Sequence, residues 1–99
     1  MHVRFVAAAR LEFLAEVVYY AEVQPGLGRR FAAAVEEAAA RIAGFPLSGS
    51  PSRANTRRII VKDFPYSIFY RSEADEVVIF AVAHHARRPF YWQTRARSR

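Results

Sequence analysis

The chain has no cysteine, and long apolar runs are also missing. Its 99 residues contain none, which excludes disulfides, thiolate metal ligands and a cysteine nucleophile. No apolar run approaches the roughly 20 residues that span a bilayer, and the first ten residues lack the apolar segment of a signal peptide. We therefore expect a cytoplasmic protein with no membrane partner, folded as a single domain over residues 1–99.

Acidic residues are absent after Glu76, although five arginines follow it. Residues 1–52 contain five arginines and five glutamates, whereas residues 53–99 contain ten basic residues and four acids. The whole net charge of +6 therefore belongs to the second half. Charge that serves solubility rarely segregates in this way, and a one-sided basic field attracts polyanions or an acidic protein partner. We expect a basic functional surface.

Apolar periodicity predicts a strand followed by two helices. Residues 3–6 are typical of a strand. Residues 7–24 predict a helix that buries a stripe of four residues spaced by three or four: Leu14, Val17, Val18 and Ala21. A proline and a glycine at positions 25 and 26 end this helix. The second helix, from about residue 27 to residue 44, has its own stripe: Leu27, Phe31, Val35, Ala38 and Ile42.

The period changes to two after a polar, turn-rich loop over residues 46–52. Strands are predicted within residues 56–63, 67–72 and 77–84, and the tight turns between them predict an antiparallel meander. Residues 77–84 are apolar on both faces and should form a central strand. The fold class is α+β in the order β-α-α-β-β-β, with a helix hairpin packed on an antiparallel sheet. Residues 93–99 are basic and apolar-poor, and we expect them to form a flexible tail.

His84 and His85 are adjacent at the end of the last predicted strand. Neighbours on a strand point to opposite faces, so they cannot share a metal ion. No helical pair of histidines or set of cysteines offers another site, and we expect no metal and no cofactor. We expect one histidine to form hydrogen bonds at the strand end and the other to be exposed. An acid–base role for either stays an alternative.

Arg87 and Arg88 can bind phosphate or carboxylate in bidentate fashion. A meander places the start of its first strand, with Arg57 and Arg58, at the opposite end from these two. One basic cluster is therefore not required, and the sequence leaves this open.

The aromatic run at residues 90–92 can stack on bases, but we prefer the interpretation that at least two of its residues fix the C-terminal segment to the core. Glu12 and Glu16, four apart on the first helix, indicate a solvated face.

Three segments together resemble one protein family: "YYAEVQPGLGRRF", "RRIIVKDFPYSIFY" and "VVIFAVAHHARRPFYWQTR". In this order they are similar to the RelE/ParE toxin superfamily of bacterial type II toxin–antitoxin systems, over residues 3–95. The wording of the second and third segments resembles the ParE-like, plasmid stabilisation branch most. The resemblance implies a growth-inhibiting toxin that is encoded beside an antitoxin, which wraps and neutralises it.

The resemblance also implies two targets. RelE-like members cleave mRNA in the ribosomal A site, whereas ParE-like members poison DNA gyrase and have no established catalytic residues. Ser67 stands where the nucleases carry an arginine, and Ile60 replaces an expected lysine. We therefore expect a gyrase poison rather than an enzyme. A ribosome-dependent endoribonuclease and a non-toxic, repurposed binding module are the alternatives. The nuclease alternative would use the residues that match its other positions, with a histidine for proton transfer: Arg58, His85, Arg88 and Tyr91.

The residues expected to bind the target or a nucleic acid are basic, with one aromatic: Arg57, Arg58, Lys62, Arg71, Arg87, Arg88 and Trp92. The expected partners are gyrase or ribosome-bound mRNA and an antitoxin, which would present acidic and apolar residues to the helix hairpin and sheet. We expect no small-molecule substrate. A homodimer or a heterotetramer with the antitoxin is compatible with the resemblance.

Overall fold

The computed structural model describes residues 1–97, and it confirms the predicted α+β fold. The described chain begins with strand β1 (His2–Phe5) and helices α1 (Ala7–Val23) and α2 (Leu27–Gly44). Strands β2 (Ser50–Ser52), β3 (Thr56–Ile60), β4 (Tyr66–Ser72) and β5 (Glu76–His84) follow, and helix α3 (Gln93–Arg97) comes last. None of the helices in residues 1–97 is both long and apolar enough to cross a membrane.

The five strands form one sheet in the order β1-β5-β4-β3-β2. Strands β2 to β5 pair antiparallel, and β1 adds to β5 in parallel, with Phe5 opposite Ile79. Strand β5 is thus flanked on both sides, and its residues 77–83 are all buried. This confirms the predicted central strand, because only a strand covered on both faces is apolar throughout.

Strand β2 lies in the segment that was predicted to be a loop, and that prediction is wrong for residues 50–52. Ser50 pairs with Arg58, and Ser52 pairs with Thr56. Between them Ala54 and Asn55 adopt the left-handed conformation, with φ of 58° and 56°, which closes a hairpin. Pro51 fits because β2 is an edge strand, where a missing N–H costs no sheet hydrogen bond.

The main core lies between the helix hairpin and one face of the sheet. The predicted stripe of α2 is confirmed for four of its residues, which are fully buried: Phe31, Val35, Ala38 and Ile42. They meet a row of strand side chains that alternate along β4 and β5, including Tyr66, Ile68 and Ile79. The ring of Phe31 lies 4.9 Å from that of Tyr66, which places an aromatic contact at the centre of this core.

The prediction for the buried face of α1 is confirmed for Val17, which packs against the core, but is wrong for the other three residues: Leu14, Val18 and Ala21. Leu14 is 45% exposed and Val18 is 57% exposed. The face turned towards the core instead carries Ala9, Phe13 and Tyr20. Helix α1 is apolar on two faces, so periodicity cannot decide which of them packs on the sheet.

A second, smaller cluster covers the other face of the sheet. Strand β5 has an extra residue at Phe80, so that Phe80 and the following Ala81 both join this cluster. The buried Trp92 stacks on Phe69 with a ring distance of 4.3 Å. This confirms that aromatic residues fix the C-terminal segment to the core.

Helix α3 extends this docked segment, which differs from the predicted flexible tail. Ala96 is buried in the second cluster, and the Arg95 side chain is hydrogen-bonded to α1 and β5. Residues 93–97 are therefore held by contacts that a basic, apolar-poor stretch of sequence does not reveal. Residues 98 and 99, the rest of that predicted tail, lie outside the described residues.

Helices α1 and α2 are closely packed at Gly28. A Cβ atom there would lie 2.6 Å from the backbone oxygen of Val17. At Gly44, near the end of α2, a Cβ atom would meet nothing within 4 Å. The hairpin therefore requires glycine at position 28 but not at position 44.

We predict that Gly28→Val lowers the free energy of unfolding by about 1–3 kcal/mol, because the helices must separate to admit the side chain. The control Gly44→Ala should leave that free energy unchanged or raise it by up to about 1 kcal/mol. Urea denaturation of both variants measures the difference. Equal effects of the two substitutions would contradict the close packing at Gly28.

Candidate functional site

A cleft of about 330 Å³ opens on the sheet face that lies away from the α1–α2 hairpin. Its floor is apolar and is formed by Phe69, Ala83 and Trp92. Its polar lining comes from β3, β4 and the segment after β5, and includes Arg58, Ser67, His85, Arg87 and Arg88. The cleft thus combines an apolar floor with a strongly basic wall.

Ser67 joins two of the basic side chains. Its Oγ accepts a hydrogen bond from Arg58 Nε at 2.9 Å and lies 2.9 Å from His85 Nε2. Ile60 is the residue opposite Ser67, so Arg58 reaches it along the diagonal between neighbouring strands. Ser67 is buried, and this network fixes the position of both neighbours at the bottom of the cleft.

The two histidines point to opposite faces of the sheet, as strand alternation predicts. His84 lies on the hairpin side, where its ring is 5.0 Å from that of Tyr66 and its Nδ1 accepts a hydrogen bond from the Ala86 N–H at 2.9 Å. His85 lies in the cleft on the other side, and His84 lines both this cleft and a pocket on the hairpin side. Within residues 1–97 no three histidine, cysteine or acidic side chains are grouped so as to hold a metal ion.

Three arginines from distant parts of the sequence line this one cleft: Arg58, Arg87 and Arg88. The meander geometry does not separate them, because Arg58 is level with Phe69 on β4 and hence with Ala81 on β5. Ala81 is only three residues from the end of β5, after which the chain folds back across the cleft. The stagger of the strands therefore brings the basic residues together.

The other basic residues that were expected to bind the target lie outside the cleft. Arg57 donates hydrogen bonds to the carbonyl oxygens of Leu47 and Gly49, at 3.3 Å and 2.8 Å. Arg71 donates to the carbonyl oxygen of Ala54 at 2.6 Å. Lys62 lines a separate pocket beside α2. Arg57 and Arg71 thus hold loops in place.

Glu12 fastens the C-terminal segment to α1, and the interpretation of a solvated face is wrong for this residue. Its carboxylate accepts two hydrogen bonds from Arg95, at 2.9 Å and 3.0 Å, and one from the Tyr91 hydroxyl at 2.5 Å. It also accepts one from the Val82 N–H at 3.3 Å. The Glu12 side chain is only 15% exposed. Because no acidic residue follows Glu76, Arg95 has no acid near it in the sequence. This is the one signal that could have indicated an ion pair between Arg95 and a residue far away in the chain.

The Tyr91 hydroxyl is occupied by its hydrogen bond to Glu12. Burial, followed by the hydrogen bond to Glu12, raises the pKa of Tyr91 well above its usual range. The Arg87 guanidinium covers its ring at 3.9 Å and lowers the pKa by a smaller amount. Tyr91 is therefore a neutral hydrogen-bond donor near pH 7, and its hydroxyl is not free to move a proton.

Arg87 also lines a second pocket, of about 440 Å³, on the hairpin side. The polar groups of this pocket include Glu16, which accepts a hydrogen bond from the Tyr66 hydroxyl at 2.7 Å. Burial and this hydrogen bond raise the pKa of Tyr66 well above its usual range. Arg87 thus stands between the cleft and this second pocket.

We predict that Glu12→Ala lowers the free energy of unfolding by about 1–3 kcal/mol, because it removes the carboxylate that accepts from the partly buried Arg95 and from the Val82 N–H. The matched control is Glu37→Ala. Glu37 forms an exposed ion pair with Arg41 at 3.8 Å on one helix, whose loss should change the free energy by about 0.5 kcal/mol or less. Thermal and urea denaturation measure both, and a loss at Glu12 no larger than that at Glu37 would refute the structural role of Glu12.

The chain matches the family model for the ParE toxin of type II toxin-antitoxin systems, parDE, over residues 3–89. No curated protein sequence matches it. A solved structure of the chromosomal ParDE TA system from P. aeruginosa is similar to it with a TM-score of 0.62 and 19% sequence identity, and the match covers 85% of this chain and 95% of that chain. At this identity the structural likeness shows the fold. Because the family model spans most of its length, the chain belongs to the ParE toxin family of type II toxin–antitoxin systems.

Proposed function

We propose that this toxin inhibits growth in the cytoplasm by acting on DNA gyrase, and that a cognate antitoxin neutralises it. The observation that carries the choice of target is Ser67. It occupies the position at which the resemblance to the nuclease branch leads one to expect an arginine, and it holds Arg58 and His85 by hydrogen bonds. Together with membership of the ParE family, this favours a toxin that binds its target over one that cleaves RNA.

The chemistry of phosphodiester cleavage supports the same choice. Cleavage requires a group that is free to move a proton and donors that stabilise the charged phosphate in the transition state. The Tyr91 hydroxyl is bound to Glu12 and is therefore not free to move a proton. The exposed Arg87 and Arg88 have no carboxylate partner within residues 1–97, which suits contact with an acidic protein surface.

We predict that the purified toxin inhibits DNA supercoiling by gyrase at micromolar concentration, because its basic surface engages the enzyme. Arg87→Ala combined with Arg88→Ala should weaken the inhibition at least tenfold, as expected when two charged contacts are lost. The control, Arg10→Ala combined with Arg29→Ala, removes the same charge from the exposed surface of α1 and α2. Unaffected supercoiling in the presence of the unmutated toxin would exclude gyrase as the target.

A ribosome-dependent endoribonuclease is the second candidate, and the position of His85 favours it. This imidazole shares the cleft with Arg58, Arg88 and Tyr91, so all four nuclease candidates line one cleft. The same preparation should therefore be incubated with ribosomes and a labelled mRNA. Cleavage that disappears in Arg88→Ala would establish this candidate, whereas intact mRNA would remove it.

The antitoxin has a suitable surface on the outer face of α1. Three apolar side chains there are exposed although they lie on a regular helix: Leu11, Leu14 and Val18. A contiguous exposed apolar patch is typical of an interaction site. The exposed Arg10 lies next to this patch, which favours a partner segment with both apolar and acidic residues.

We predict that Val18→Glu abolishes co-purification with the antitoxin encoded by the adjacent small gene, because it places a charge in the apolar contact. The control is Ile60→Glu, since Ile60 is also an exposed apolar residue but lies on β3. Size-exclusion chromatography of each co-expressed pair is the measurement. An antitoxin that still co-elutes with the Val18→Glu toxin would show that it binds elsewhere.

A further inference from the structure

The cleft concentrates positive charge that the protein itself does not neutralise. Arg4, Arg41, Arg71 and Arg95 each form an ion pair with a glutamate. By contrast, the three arginines of the cleft form none within residues 1–97, and no acidic residue lines the cleft. Three guanidinium groups and an imidazole that line one cleft without a counter-charge attract anions.

The arrangement of the donors leaves several of them available. Arg58 uses its Nε for Ser67, while its two terminal nitrogens make no hydrogen bond to residues 1–97. Arg88 is exposed, and its side chain likewise has no hydrogen-bond partner in the described chain. Arg87 stacks on Tyr91 at 3.9 Å and keeps its N–H groups for another partner. Such a set of paired N–H donors matches the oxygens of a phosphate group.

The apolar part of the cleft is suited to a planar ring. Its floor consists of Phe69, Ala83 and Trp92, and the half-buried Phe90, whose ring is covered on one face by Arg53 at 4.3 Å, forms part of the wall. The volume of about 330 Å³ lies in the range of small-ligand sites, about 300–1,000 Å³. Aromatic and apolar surfaces next to arginines bind unstacked bases. A ligand that carries both a phosphate and a base would use the floor and the wall together.

We propose that this cleft binds a nucleotide through its terminal phosphate, with the phosphate on Arg58 and Arg88 and the base against Phe90 and the apolar floor. A phosphate monoester carries about −1.5 to −2 charges at pH 7 and three acceptor oxygens, which suits converging cations better than the single charge of an internal phosphodiester. The site goes beyond the proposed function, because inhibition of gyrase as proposed requires only a protein contact. It also implies binding without turnover, in keeping with the expectation of no small-molecule substrate.

The experiment uses the purified full-length toxin and adenosine 5′-monophosphate as the probe. Trp92 is the chain's single tryptophan and lies beneath the cleft, stacked on Phe69, so its fluorescence serves as the readout of binding. We expect saturable quenching with a submillimolar dissociation constant, whereas adenosine, which lacks the phosphate, should bind at least about tenfold more weakly. Equal binding of adenosine, or no binding of the monophosphate up to about 5 mM, would overturn the proposal.

Substitutions then test the location of the site. Arg58→Ala and Arg88→Ala should each weaken binding of the monophosphate about tenfold, with the fold checked by circular dichroism. Arg10→Ala and Arg29→Ala remove the same charge outside the cleft and should have little effect. A comparable loss in these controls would mean unspecific attraction by the net charge of the protein and would refute the site.

The two sources of a terminal phosphate are separated by a short oligodeoxynucleotide with and without a 5′-phosphate. If the phosphorylated strand binds more tightly than the mononucleotide, the natural ligand is the end of a strand. If the mononucleotide binds at least as tightly, it is a free nucleotide. Both results support the site, and gyrase inhibition, measured separately, can fail or succeed without changing either.

Discussion

The arrangement of the site depends on how the edge of β5 is completed beyond β1. Strand β1 ends at Phe5, opposite Ile79, and within residues 1–97 no other strand pairs with the rest of β5 on that side. Glu12 accepts the hydrogen bond of the Val82 N–H, and Arg95 donates to the Phe80 carbonyl oxygen at 3.0 Å. Because these two side chains also bind each other, one ion pair satisfies buried backbone groups and ties α1, β5 and the C-terminal segment together. The segment thus fastened carries the basic wall of the cleft.

The parts of the fold that the sequence predicts are those with one apolar face and regular length. The stripe of α2 and the strands β3 to β5 follow directly from their periods. The buried face of α1 does not follow from its period, because one apolar face carries Leu14 and Val18 and another carries Phe13 and Tyr20. Only packing on the sheet determines which face is buried. The short elements β2 and α3 have too few residues for a period, and tertiary contacts hold them.

The candidate site also has a part that the sequence predicts and a part that it does not. The opposite orientation of His84 and His85 follows from strand alternation alone. Strand alternation does not predict that Arg58 and His85 lie close together. Their contact through Ser67 requires the register that pairs Ile60 with Ser67 and the reversal of the chain after β5. A buried serine with an arginine and a histidine as partners has no signature in the sequence, since the three residues come from three different segments. The composition predicts that the basic surface belongs to the second half of the chain. The strand register determines which of its arginines line one cleft.

The position of Arg87 connects the sites on the two sides of the sheet. Its side chain belongs to the cleft on one side and to the pocket of Glu16 and Tyr66 on the other, and its guanidinium rests on Tyr91, which is bound to Glu12. A ligand in either site that moves this guanidinium towards itself changes the shape of the other site. Binding at the two sites is then thermodynamically coupled, and the coupling is reciprocal. A protein seated near the end of α1 could in this way alter the affinity of the cleft without covering it.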